Sequence, residues 1–267
     1  MSTHVPDPAH FPSYRKPSEK EGPSFGDPSL RQRSAQAFRA GADTYDDVRP
    51  GYPQEVAELI IGARTVLDVG AGTGKFTATL RNERVFACEP SGDMARVFRQ
   101  RLNYPLWRAT AEATALAPDS LDAVACAQTW HWVDVAAAST EFDRILRPGG
   151  VILLAWNTLA VEDDPWILRL ARIMHSGDIQ RPGFLPEVSK PWRIDNTLRL
   201  KWDHLLSPAQ LHALMHTRSY WLRNSARIRE RMTNNLNWYL YEHMGFSEEE
   251  KLHIPYRTDA FVLVREE

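Results

Sequence analysis

The sequence predicts an α/β fold, a mostly parallel sheet sandwiched between helices and carrying a helical cap. Three observations predict it. Short β-branched runs alternate with helical segments from Thr65 to Trp156, a rhythm that calls for a parallel sheet with crossover helices. The first of these runs empties into Gly70-Ala71-Gly72-Thr73-Gly74, a loop bare enough for close backbone approach to a ligand at a strand's carboxyl end. After Asn157 the alternation stops and apolar residues recur at helical spacing instead.

Strands are expected at Thr65 to Val69, Arg84 to Cys88, weakly at Leu106 to Ala109, at Leu121 to Ala127 and at Val151 to Trp156. Helices are expected near Gln54 to Ile61, Phe76 to Leu80, Met94 to Leu102 and Val135 to Leu146. Pro148-Gly149-Gly150 reads as the turn into the fifth strand. Beyond Asn157, the residues Trp166, Ile167, Leu170, Ile173 and Met174 fall on one helix face. Leu198 to Trp202 alternates like a strand, and Pro208 to Met215 is helical. Tyr220 to Met232 and Leu236 to Met244 read as two more helical stretches, and Leu252 to Val264 as a last strand. No internal repeat is present.

The expected organisation has four parts: a proline-rich arm over 1–30, a ligand-binding core over 31–158, a mostly helical cap over 159–249 with a late strand near 197–203, and a terminal strand over 250–267 that completes the sheet. Six prolines and few aliphatics leave the arm too little apolar surface to offset the entropy of ordering. A short helix is expected at Ala35 to Ala40, ahead of the turn Arg49-Pro50-Gly51-Tyr52-Pro53.

The 267 residues, 43% hydrophobic and 25% charged, suit one large decorated domain. A net charge of −2 gives no basic footprint of the kind that marks nucleic acid as the main partner. Cys88 and Cys126 both lie in apolar runs and read as buried thiols, which leaves a cytoplasmic location as the expectation. No stretch reaches the ~20 apolar residues needed to span a bilayer, and the N-terminus lacks signal-peptide order.

The glycine loop admits three readings. A dinucleotide fingerprint needs glycine where Lys75 stands. A phosphate-cradling loop needs a hydroxyl residue after that lysine and finds Phe76. With both failing on spacing, Asp68 followed by Gly70-x-Gly72-x-Gly74 resembles motif I of the class I S-adenosylmethionine-dependent methyltransferases. The resemblance implies a Rossmann-like seven-stranded sheet whose last strand is antiparallel, with S-adenosyl-L-methionine as cofactor and S-adenosyl-L-homocysteine as product. It also implies that Gly70, Ala71, Gly72 and Gly74 pass beneath the cofactor while Asp68 fixes the loop.

Strand two ends in Glu89-Pro90, a carboxylate placed to accept hydrogen bonds from two vicinal ribose hydroxyls. Ala111 and Glu112 resemble the stretch that meets the adenine edge. The resemblance narrows at Ala127-Gln128-Thr129-Trp130-His131-Trp132. Together with Tyr45, the Arg49 to Pro53 turn and Arg147-Pro148-Gly149-Gly150, this segment is similar to the branch containing the trans-aconitate methyltransferases. There it closes strand four beside the cofactor, which places Gln128 and Tyr45 among the cofactor contacts. The likeness covers Ala40 to Asn157, with Pro255-Tyr256-Arg257-Thr258 also similar.

Methyl transfer from a sulfonium is an in-line displacement in which positioning supplies much of the rate. A carboxylate acceptor is already ionised at pH 7, whereas a hydroxyl or amine must lose a proton. His131 reads either as the catalytic base or as a packed wall. Trp130 and Trp132 either turn ring faces to the sulfonium and its acceptor or pack in the core. Arg49 and Arg257 either grip an anionic acceptor or anchor their own segments. His212 and His216 stand one helical turn apart but lack the acidic partner of a zinc protease motif, and no metal is expected. The arginines between Arg218 and Arg231 read as a solvated helix face, and Tyr220, Trp221, Trp238, Tyr239 and Tyr241 as packing between cap helices.

The functional expectation is therefore transfer of a methyl group to a small molecule, preferably to oxygen and possibly of a carboxylic acid, by a monomer or homodimer with neither nucleic-acid nor membrane partner. Two alternatives stand beside it, a cofactor-binding protein without turnover and a nicotinamide-dependent oxidoreductase.

Overall fold

The computed structural model describes residues 42–162, 164–175 and 180–266. The expected arm and the helix at Ala35 to Ala40 lie outside them. Helices α1 (Ala42–Val48) and α2 (Gln54–Glu58) lead into strand β1 (Thr65–Val69). Then come β2 (Arg84–Cys88), α3 (Gly92–Arg101), β3 (Leu106–Trp107), β4 (Leu121–Ala127), α4 (Val135–Ile145) and β5 (Leu146–Leu159). The remainder comprises α5 (Pro165–Ile173), β6 (Trp192–Leu206), α6 (Pro208–His216), α7 (Ser219–Arg223), α8 (Ala226–Asn237) and β7 (Leu252–Arg265). The strands form one seven-stranded sheet in the order β3-β2-β1-β4-β5-β7-β6, with the last strand antiparallel to the other six.

All five residues of β1 are buried, as a central strand covered on both faces requires. It pairs in parallel with β2 and with β4, which brings the carboxyl ends of three strands to one edge. Helix α3 starts where Ser91 caps the Met94 amide, and it turns Met94, Ala95, Val97 and Phe98 inward. Asp134 caps α4 in the same way, through the Ala137 amide.

Several elements differ from expectation for local reasons. The helix expected at Phe76 to Leu80 is a single 3₁₀ turn, Thr77–Thr79. Thr77 gives its hydroxyl to Asp68 and Thr79 gives its own to the Phe76 carbonyl, side-chain bonds that compete with helix propagation. The fifth strand starts at Leu146, ahead of the expected turn. Leu121 pairs with Leu146 and Ala123 with Val151, so the Pro148-Gly149-Gly150 segment forms a bulge inside the strand, with Gly149 at φ +77°.

The stretch Tyr220 to Met232 is two helices, because Asn224 folds its side chain onto the Tyr220 carbonyl and ends α7. Residues Trp238–His243 continue α8 as a π-helical turn. β6 is far longer than the alternation at Leu198 to Trp202 shows, since its start is mostly exposed and polar and carries no apolar period.

The chain forms two compact units. One contains the described part of Phe25–Asn157, Leu185–Leu200 and the residues from Thr258 onward. Its core joins Val56, Val66, Phe76, Leu80, Ala125, Leu153 and Val262. The other contains Lys201–Arg257 and the described part of Thr158–Phe184. Within it Trp166 meets Phe246 edge-on at 5.7 Å, and the Tyr239 hydroxyl donates to the Trp166 carbonyl. No helix among the described residues is long and apolar enough to cross a membrane.

Candidate functional site

The carboxyl ends of β1, β2 and β4 gather most of the residues singled out in the sequence. Gly70, Gly72 and Gly74 have φ of +66°, +58° and +92°, left-handed conformations that β-carbons resist. Their surroundings differ. A β-carbon at Gly70 would lie 2.4 Å from the Thr129 side chain, and one at Gly74 would strike Leu102 and Phe98. At Gly72 it would meet nothing within 4 Å, so the middle glycine alone faces open space. The amides of Gly70 and Ala71 donate to the Cys88 carbonyl, which ties the loop to the end of β2.

Asp68 lies in the buried strand beneath this loop, with one oxygen accepting from Thr77 at 2.6 Å. Its other oxygen is buried and has no hydrogen-bond partner among the described residues. Burial, with a further push from the charge of Glu89, raises the Asp68 carboxyl to about 7.

Glu89 follows β2 and is buried, with one oxygen accepting from the Gly72 amide at 2.9 Å and the other from the Ser91 amide at 2.7 Å. Desolvation pushes its carboxyl up, and the two amides pull it back. Each oxygen keeps a further lone pair for a second donor. Pro90 beside it is exposed, and its carbonyl accepts from Arg108.

Ala111 is buried. Glu112 accepts the Asp134 amide at 2.9 Å, so one of its oxygens serves the start of α4. Gln128 follows β4 with φ +54°, an uncommon conformation for a residue with a β-carbon. Its side-chain amide donates to the Asn157 carbonyl at 2.6 Å, while its Oε1 is buried and unpartnered among the described residues.

Next comes a 3₁₀ turn, Trp130–Trp132, whose members have separate surroundings. Trp130 is 3% exposed, packs on Phe142 and donates its ring N–H to the Glu187 carbonyl, which is core packing. His131 accepts the Trp156 ring N–H on Nδ1 at 3.3 Å. The proton of its neutral form therefore resides on Nε2. Trp132 is half-buried with its ring 4.7 Å from that of His131.

The N-terminal turn joins the same unit. The Arg49 guanidinium lies 5.0 Å over the Tyr45 ring, and Tyr52 meets Phe76 edge-on at 5.2 Å. Burial, Tyr45 and Asp68 all push the Tyr52 phenol well above its ordinary range, which puts Tyr52 within the field of Asp68. Thr77, Thr129, Tyr52 and Asn157 contribute to this geometry without a periodic signal. Only the repeated contacts of the fold reveal Thr77 and Asn157.

Arg257 belongs to the other unit, where it is buried against Glu162 at 2.9 Å and the Gln180 carbonyl. That is an anchoring role. His212 and His216 stack on Tyr241 and Trp221 there, and among the described residues no group of three or more His, Cys, Asp or Glu is arranged to hold a metal. Cys88 and Cys126 are buried, the former with its thiol pushed up to about 12.

The set of acceptors fits an adenosine-bearing sulfonium: an open glycine position, a carboxylate at the neighbouring strand tip with a second lone pair on each oxygen, and two buried oxygens, on Asp68 and Gln128, with no hydrogen-bond partner among the described residues. A family model described as a methyltransferase domain matches residues 67–154. An uncharacterized methyltransferase of Mycobacterium tuberculosis is 36% identical over 235 residues, covering 85% of this chain and 95% of the relative. A malonyl-[acyl-carrier protein] O-methyltransferase of Dechloromonas aromatica is 34% identical over 140 residues, which is 50% of this chain and 53% of that protein. Among solved structures, a protein from Anaeromyxobacter dehalogenans assigned as a type II methyltransferase shares the fold at a TM-score of 0.60 and 22% identity, covering 80% of this chain and 97% of that one. Glycine loop, strand order and a relative spanning nearly the whole of its length agree, and the chain belongs to the class I S-adenosylmethionine-dependent methyltransferases.

Proposed function

We propose that this methyltransferase places a methyl group on an oxygen of a small molecule, and that the oxygen belongs to a carboxylate. One observation carries the reading. With Nδ1 of His131 accepting from Trp156, the acceptor nitrogen of the neutral imidazole is already engaged and the histidine is poorly suited to removing a proton. With His131 set aside as a base, an acceptor already ionised at pH 7 suits the site. The malonyl-[acyl-carrier protein] O-methyltransferases, named for transfer to oxygen, support it across about half of the chain.

In this reading the bound cofactor supplies an electrophilic methyl carbon on a sulfonium. Glu89 holds its ribose hydroxyls, and Gly70, Ala71, Gly72 and Gly74 leave room for it. Asp68 and Gln128 offer their buried oxygens as acceptors, Tyr45 closes the N-terminal side, and Pro90, Ala111 and Glu112 border the base. His131 orients an acceptor by donation, Arg49 supplies positive charge for an anionic acceptor, and Trp132 walls the site, whereas Trp130 supports from the core. Choice of the acceptor falls to the segment 159–249 of the sequence.

The test incubates the protein and heavy-methyl S-adenosylmethionine with a metabolite extract and searches for labelled products by mass spectrometry. Labelled compounds that lose the label in mild alkali are carboxyl esters, the expected result. Alkali-stable label would move the reading to nitrogen or ether oxygen. Binding without any labelled product would leave a cofactor-binding protein that does not turn over.

A further inference from the structure

Asn157 is 2% exposed and joins segments of its unit that lie far apart in sequence. Its Nδ2 donates to the Gly51 carbonyl at 2.8 Å, across 106 residues of sequence. Its Oδ1 accepts from the Thr258 hydroxyl at 2.6 Å, and its backbone carbonyl accepts from Gln128 Nε2 at 2.6 Å. One residue of β5 thus touches the N-terminal turn, the end of β4 and the terminal strand.

The chemistry of these partners allows only one arrangement. A carbonyl can only accept, so Gly51 forces the nitrogen of the Asn157 amide toward itself and leaves the oxygen for Thr258, which must donate. The same logic fixes Gln128, whose nitrogen must face the Asn157 carbonyl, so its Oε1 is turned the other way. That oxygen is buried with no partner among the described residues, at the end of a residue held at φ +54°. Backbone strain of this kind persists only where surroundings over-determine it. Gly51 sits between Arg49 and Tyr52, so the bond to its carbonyl also fixes the turn that brings Tyr52 against Phe76.

We propose that Asn157 is a positioning residue, held by Thr258, that pins the Arg49 to Pro53 turn and the Gln128 side chain in the arrangement that receives the cofactor. This rests on the cofactor reading given under the proposed function. Neither Asn157 nor Thr258 touches the reacting atoms; they act through Gly51 and Gln128. The terminal strand is thereby part of the site and not merely the completion of the sheet.

Three variants test it: Thr258→Val, which keeps shape and loses the donor; Thr258→Ser, which keeps the donor; and Asn157→Ala. Two readouts are taken. One is S-adenosylhomocysteine affinity by calorimetry, and the other is amide exchange by mass spectrometry in peptides spanning Asp46 to Val56. Thr258→Val and Asn157→Ala are expected to speed exchange there and to weaken affinity, each by about tenfold, the scale of one lost buried hydrogen bond. Thr258→Ser is expected to match the parent in both.

Unchanged exchange and affinity in folded Thr258→Val would overturn the proposal. So would faster exchange spread evenly over the chain, which is the mark of lost global stability. A parent protein that binds no S-adenosylhomocysteine would remove the cofactor reading, yet local exchange in the turn would still decide whether Asn157 pins it.

Discussion

Thr77 donates its hydroxyl hydrogen to Asp68 at 2.6 Å across the glycine loop, and the second oxygen of Asp68 is left buried with no hydrogen-bond partner among the described residues. Hydrogen bonding by Thr77 does not replace the water that a carboxylate loses in a central strand, and burial raises the group to about 7.

Asp68 therefore makes stability pH-dependent in a defined sense. The unfolded chain ionises this group near pH 4, while the folded chain resists until about 7. Below the lower value both states are protonated and there is no penalty. Between the two the unfolded state loses its proton first, so stability falls as pH rises, and the loss levels off above the folded value. The full cost is on the order of 4 kcal/mol. Asp68→Asn keeps an acceptor for Thr77 and cannot ionise. Its stability relative to the parent, followed by urea denaturation from pH 4 to 8, is expected to grow up to pH 7 and then flatten. A constant difference would mean that Asp68 is ionised in the folded protein throughout.

Glu89 ties the tip of β2 to the loop through the Gly72 amide while keeping lone pairs for a ligand. Replacing it with alanine is expected to weaken S-adenosylhomocysteine binding by ~1–3 kcal/mol, the range for leaving a buried hydrogen-bonding group without its partner. Glu89→Gln should fall between, because one oxygen remains. Calorimetry at fixed pH measures all three proteins, and equal affinity across them would remove Glu89 from the site.

How far the sequence carries differs between backbone and side chains. The strand rhythm shows in Thr65 to Val69 and Leu121 to Ala127 because continuous burial selects apolar residues at every position. Gly70, Gly72, Gly74 and Glu89 were legible because their spacing follows a strand end. The Gly51, Asn157 and Thr258 network was not, since partners 106 and 101 residues apart leave no mark on local periodicity. Nor could sequence separate Trp130 from Trp132, neighbours on a turn whose direction depends on the contacts to Phe142 and Glu187. β6 was short-changed for a related reason: an edge strand exposes polar residues such as Arg193 and Asp195 that resemble a loop.

Gly72 and Gly70 separate ligand space from structural need. Both have positive φ, so alanine at either place is strained by roughly 1–2 kcal/mol. At Gly72 the added methyl enters open space, whereas at Gly70 it collides with Thr129. Gly72→Ala is expected to unfold only a few degrees below the parent, while its affinity for S-adenosylhomocysteine drops by at least about tenfold. Gly70→Ala is expected to lose more stability than Gly72→Ala. Thermal melts with and without ligand distinguish the two, and a Gly72→Ala protein that binds as tightly as the parent would show that the ligand does not pass this position.

His131 offers the sharpest division between assistance by donation and assistance by proton removal. A base acts only when deprotonated, so removing it would flatten the acid limb of a pH–rate profile as well as lower the rate. A donor on Nε2, fixed by the Trp156 bond to Nδ1, holds the acceptor without changing its protonation. Once an acceptor is in hand, His131→Ala is expected to raise the KM for that acceptor by about tenfold with kcat reduced less, the pattern for lost ground-state binding. The variant's profile should keep the parent's shape from pH 6 to 9. A variant whose kcat alone collapses, with the acid limb gone, would make His131 the base and return hydroxyl acceptors to the front.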